Sequence, residues 1–321
     1  MVNLHFGLGG HFTIHKGTLD DNDEPVTREY VTDFDNLVLD TGLQRIGAND
    51  DWMNWLHLGT GITAPAPLQN SLINATYKGM SLAPHTPLAP DTDHGVNIVD
   101  PLNPYCWITR VFRVSPRGEN RTYSELGVGW DDSNLFSRTL IKDPLGEQST
   151  ITILGDEYLD VTYEVRLYVP VDTAVYTVTP TGDDLEPREI TVQASALNIH
   201  TNSRTFGWGL GHYNEPGSLC GEHPVYALDH NRFFTGQRGG IYQNPEGDVV
   251  GSTFNANSKV RTSDTSMTFN FTRDLPDNIG TLRTMQVSQL GFCFQMQFSP
   301  PFVKTNEDRF NISYSISWGR R

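Results

Sequence analysis

Basic residues are scarce in this chain: 23 Lys and Arg stand against 38 Asp and Glu, a formal net charge of −15 over 321 residues. A surface that negative repels phosphate backbones, so nucleic acid is not an expected partner. Cysteine is scarcer still. Cys106, Cys220 and Cys293 each stand alone, near aromatic residues such as Trp107, Phe292 and Phe294, and no disulfide framework or CxxC metal pair can be read. No apolar run approaches the roughly 18 residues of a membrane span. The opening MVNLHFGLGGHFTIHKG also lacks the cationic-then-apolar order of a secretory signal. The expectation is a soluble protein made in a cytoplasm, without membrane insertion.

Catalytic signatures are missing as well. No GxSxG, HExxH, P-loop or dinucleotide fingerprint occurs, and GQRGGIY (236–242) lacks the lysine and helix of a phosphate cradle, so it reads as a glycine-rich turn or bulge. Asn74, Asn120, Asn270 and Asn311 open Asn-x-Ser/Thr triplets, which read as chance without a secretory route. Long amphipathic helices are hard to find. The best candidate is DNLVLDTGLQRIG (35–47), where Asp35 suits an N-cap and Gly47 an end, giving a short helix that covers a sheet edge.

What is present is β. Thr, Val, Ile and Tyr crowd into short alternating runs, as in DEYLDVTYEVRLYVP (156–170), where Leu159, Val161, Tyr163, Val165 and Leu167 share one face of a strand. The C-terminal EDRFNISYSISWGRR does the same through Phe310, Ile312, Tyr314, Ile316 and Trp318. The two series align position for position, Tyr163 with Tyr314 and Val161 with Ile312.

Other blocks follow in the same order: LFSRTLIKD (135–143) with QFSPPFVKT (297–305), SELGVGW from Ser124 with SQLGFCF from Ser288, and VFRVSPRGENRT near Phe112 with FTRDLPDNIGTLRT near Phe271. LHLGTG followed by APLQNSL near Leu58 pairs with WGLGHYNEPGSL near Trp208. The expectation is an internal duplication: an all-β chain of two tandem β-sandwich-like domains with a short peripheral helix. The boundaries are an N-terminal strand and acidic spacer at 1–29, a first domain at 30–172 and a similar second domain at 173–321. Residues 80–104 carry five prolines and read as an extended excursion.

FDNLVLDTGLQRIG, LHLGTGITAPAPLQNSL, ELGVGWDDSNLFSRTLI and FSPPFVKTNEDRFNISYSISWGR together resemble virion proteins of tailed bacteriophages, grouped with tail, tail-fibre or appendage components. The likeness covers most of residues 34–321. It implies a β-rich assembly subunit repeated around a symmetry axis; two similar domains per chain suit a trimer or a sixfold ring. Its partners would be copies of itself and other tail proteins, and its location the virion, after assembly in the host cytoplasm.

His11 and His15 share a strand face but stand about 13 Å apart, too far for one metal. His212, Cys220, Glu222, His223 and His230 fall in one loop-rich stretch but match no ligand spacing. Asp131 and Asp132, with Glu222 and Asp229, offer carboxylates for a glycosidase pair. Trp52, Trp55, Trp130 and Trp208 are sugar-stacking candidates that more often fill cores or interfaces. No catalytic, cofactor-binding or metal-ligating set is assigned, and no cofactor is expected. The sequence thus reads as a non-enzymatic tail or appendage subunit. The rivals are a capsid decoration protein and a module that binds or cleaves host surface glycan through loops 80–104 and 207–245. Residues 1–17 are expected to lie as an arm against a neighbouring subunit or against the second half of the chain.

Overall fold

The computed structural model describes residues 1–47, 53–80, 94–97, 99–168, 170–179, 186–195, 231–240, 243, 245–250, 258–273, 280–289, 292–307 and 309–321. The N-terminal alternation forms a long strand, β1 (Val2–Thr18), whose even-numbered residues from Val2 to Ile14 are buried while the odd ones face outward. The first half continues with β2 (Glu29–Asp35), β3 (Leu37–Val38), α1 (Asp40–Ile46), β4 (Trp55–Gly59), β5 (Ala75–Met80), β6 (His94–Asn97) and β7 (Tyr105–Val114). It ends with β8 (Arg121–Tyr123), β9 (Glu125–Gly129), β10 (Leu135–Leu140), β11 (Ile151–Ile153) and β12 (Glu157–Tyr168). The second half holds β13 (Ala174–Val178), β14 (Arg188–Ser195), β15 (Asn231–Phe234), β16 (Ser258–Ser263), β17 (Ser266–Arg273), β18 (Gly280–Gln289), β19 (Phe292–Lys304) and β20 (Phe310–Arg320).

One sheet crosses both halves in the order β16-β17-β20-β1-β12-β7-β6. β1 is its central strand. One edge pairs antiparallel with β12 from Gly7 to Thr18, and the other is shared by β20, parallel along Val2–Leu8, and β2, antiparallel along His11–Lys16. Of the expected N-terminal arm, Val2–Leu8 lies against the second half of the chain, and the rest pairs within the first half. The arm is not, however, set apart from the first half by the acidic spacer, because both edges of the strand are taken up in ladders and Val2, Leu4, Phe6, Leu8, Phe12 and Ile14 supply core.

Around β1 the pattern repeats. β12 pairs antiparallel with β7, setting Val161 opposite Phe112 and Tyr163 opposite Arg110. β20 pairs antiparallel with β17, setting Ile312 opposite Phe271 and Tyr314 opposite Phe269. Val161 and Ile312 thus both face a phenylalanine, whereas Tyr163 and Tyr314 face unlike residues. The block SELGVGW breaks the correspondence: β9 runs straight through Glu125–Gly129, whereas in the matching block β18 ends at Gln289, which pairs with Phe292 of the antiparallel β19. WGLGHYNEPGSL lies outside the described residues.

Two further sheets form the second layer, β3-β10-β9-β4-β5 in the first half and β13-β14-β19-β18-β15 in the second, with β8 and β11 as a separate pair. The architecture is an all-β sandwich. Its core is continuous, running from Leu126, Val128 and Phe136 through Phe12 and Tyr163 to Phe6, Trp318, Phe269 and Met296. Phe6 stacks on Trp318 with ring centroids 6.2 Å apart, a contact worth about 0.5–1.5 kcal/mol beyond the area it buries.

The helix is shorter than its sequence pattern. Asp35 ends β2 and binds His11, Leu37–Val38 pairs with β10, and only Asp40–Ile46 is helical, with Leu39 at its N-terminus and Gly47 at its C-cap. It ties the halves together: Trp318 Nε1 donates to the Leu43 carbonyl at 2.7 Å, and the Arg320 guanidinium donates to the Val38 carbonyl and the Asp40 carboxylate.

Candidate functional site

Between β4 and β5 the chain does not make a tight hairpin turn. TGITAPAPLQNSLIN (60–74) interposes two prolines that cannot donate to a ladder, and a long loop folds back across the sheet. Beneath it are two charges in fully buried strands, Glu125 of β9 and Arg138 of β10, both 0 % exposed. Arg138 Nη2 lies 2.7 Å from Glu125 Oε2 and Nε lies 3.1 Å from the same oxygen.

The rest of the hydrogen-bonding capacity of this pair goes to the loop. Glu125 Oε1 accepts the N–H of Gly61 at 3.0 Å and of Asn74 at 2.8 Å, and Oε2 accepts the N–H of Ile73 at 3.2 Å. Arg138 donates to Gln69 Oε1 at 2.7 Å and to the Thr63 carbonyl at 2.8 Å. A buried ion pair is stable only when such bonds satisfy its remaining groups. Here they fix both ends and the middle of the loop. Burial pushes the Glu125 carboxyl up, but the Asn74 N–H, the Arg138 guanidinium and the Ile73 N–H outweigh it and hold the group below the usual carboxylate range.

The packing is as specific as the polar bonds. Leu72 is buried against Leu39 and Leu135 in a small cluster separate from the main core. The backbone is pinned by Asp40 N–H to the Pro67 carbonyl at 2.9 Å and Leu135 N–H to the Asn70 carbonyl at 3.1 Å. Gly61 has no alternative, since a Cβ there would stand 2.4 Å from Glu125 Oε1. The clamped loop presents three large apolar side chains, Ile62, Leu68 and Ile73, 72 %, 87 % and 52 % exposed, among the uncharged polar residues Thr60, Thr63, Asn70 and Ser71. From Thr60 to Met80 the chain has no acidic residue, and Lys78 is its one basic residue.

The residues singled out by sequence are placed differently. His11 and His15 lie on the outward face of β1, where His11 Nδ1 bonds Asp35 Oδ1 at 2.8 Å and the His15 ring meets the edge of Tyr30 at a centroid distance of 5.9 Å. Among the described residues no group of three His, Cys, Asp or Glu side chains could hold a metal. Asp131 shapes the β9–β10 turn: its Oδ1 accepts the N–H groups of Ser133 and Asn134 at 2.8 and 2.7 Å, and its carbonyl lies 2.9 Å from His57 Nε2. Asp132 gives its carbonyl to Lys78 Nζ.

Trp130 packs partly buried against the core and carries the Arg45 guanidinium 4.9 Å above its ring, and Trp55 is half-buried in β4. Trp52, Trp208, His212, Cys220, Glu222, His223, Asp229 and His230 lie outside the described residues, as do most of the loops at 80–104 and 207–245. Sequence reasoning passed over Glu125 and Arg138, which it used only as letters in ELGVG and LFSRTL. The available signal was slight: Glu125 opens a β9 that is otherwise Leu, Gly and Val, and Arg138 stands between Ser137 and Thr139 in β10. The chain matches no family model, no curated protein and no solved structure.

Proposed function

We propose that this chain is a non-enzymatic structural subunit of a bacteriophage virion, a tail or tail-associated appendage component that works by contact with copies of itself and with neighbouring tail proteins. The resemblance of its phrases to tailed-phage virion proteins supports the reading, and so does an all-β sandwich in which two similar strand triplets flank β1. We take those triplets as products of an internal duplication, which gives each chain two similar units to offer a threefold or sixfold assembly.

One observation carries the proposal: a long loop with three exposed large apolar side chains, held rigid by a buried ion pair. Exposed apolar surface in a pre-ordered loop binds without an ordering cost, which suits permanent assembly. An antibody against the protein, applied to particles of the phage that encodes it and viewed by electron microscopy, tests the reading. Label on tails is expected. Label confined to heads makes it a decoration protein, and unlabelled particles contradict a virion role.

A further inference from the structure

We infer that the hairpin from Thr60 to Met80 is a self-association surface, and that its occupant is the same hairpin of a second copy related by a two-fold axis. This rests on the assembly reading of the clamped loop and names its partner; a two-fold contact of this kind joins two threefold or sixfold rings to each other and is separate from the contacts that close a ring. Three features argue for it.

The first is charge. Each copy carries −15, so two copies repel over most of their surfaces. A basic partner would be drawn to acidic surface, whereas a segment free of acids is where an equally acidic molecule approaches at least cost. Thr60 to Met80 is such a segment, and it is also where Ile62, Leu68, Ile73 and Met80 stand exposed.

The second is the backbone. β5 ends its sheet, and among the described residues no strand pairs with its outer edge. An edge of this kind is a template for another strand, and two identical edges meet antiparallel across a two-fold axis. The third is the side chain that ordinarily guards an edge. A lysine on an edge strand discourages pairing, but the Lys78 ammonium is folded back onto the Asp132 carbonyl.

The test uses the full chain. Sedimentation should show a reversible dimer or a multiple of it, with association strengthened by added salt as like charges are screened. Leu68→Glu and Ile62→Glu, both at well-exposed positions, should weaken association by about tenfold or more while leaving the melting temperature unchanged. A wild-type chain that stays monomeric, or an oligomer indifferent to both substitutions, overturns the inference. A photo-crosslinking residue at Leu68, carried into phage particles, separates it from the broader reading. Crosslinks to the same chain support both, and crosslinks to a different virion protein overturn the self-pairing alone. Absence of any crosslink within the particle contradicts both.

Discussion

Arg138 and Glu125 meet with Nη2 2.7 Å from Oε2 at a place where neither side chain touches solvent. Removing one partner leaves the other charged and unpaired, so Glu125→Ala or Arg138→Ala should each cost about 3–5 kcal/mol. The double replacement Glu125→Ala with Arg138→Ala should cost less than the sum of the single changes. Urea denaturation of the four proteins measures both effects, and additive losses would show that the two charges act separately.

The same pair fixes a pH dependence. Glu125 is held below its ordinary range in the folded chain, so its contribution is complete above the unfolded value of about 4.3 and is lost as pH falls through the lower folded value. Asp35 adds to this in the same sense, mainly through its hydrogen bond from His11. Melting followed from about pH 6 to about pH 3 should fall more steeply for the wild type than for Glu125→Gln.

Val161 is fully buried and paired with Ile14 on one side and Phe112 on the other. Val161→Asp places a carboxylate where no partner stands and should destabilise by several kcal/mol, while Thr162→Ser on the outward face should change stability by about 0.5 kcal/mol or less. Unchanged melting of Val161→Asp would mean that the inward face has been misassigned.

β1 as the central strand predicts that its N-terminal end stabilises the C-terminal strand. Phe6→Ala removes the ring stacked on Trp318 and should cost about 3–5 kcal/mol. Deleting residues 2–8 bares the edge of β20 and removes four buried side chains, and should abolish cooperative unfolding of the second half. A deletion variant that melts as the intact chain does would contradict the central placement.

Much of the sandwich was legible because period-two alternation survives wherever one face is buried. Leu159 to Leu167 and Phe310 to Trp318 face inward as their spacing indicates. The helix was overextended because Leu37 and Val38 suit a helical stripe as well as a two-residue strand, and only pairing with β10 decides between them. β1 read as a detachable arm because Gly7, Gly9 and Gly10 and the acidic stretch after the strand look like punctuation. Gly10 in fact leaves room for Tyr163, whose hydroxyl would stand 2.4 Å from any Cβ there. The clamp was hidden for another reason. Glu125, Arg138 and the loop they hold come from three separated segments, and nothing in local spacing shows that they converge.

Hydrogen exchange at the amides of Gly61, Ile73 and Asn74 tests most directly whether the buried pair holds the loop in readiness. These N–H groups bond only a side chain, in a segment without regular structure. They should exchange as slowly as ladder amides of β9 and become fast in Glu125→Ala, which removes their acceptor. Exchange at the rate of an unprotected loop in the wild type would contradict the clamp, and with it the rigid surface on which the proposed assembly depends.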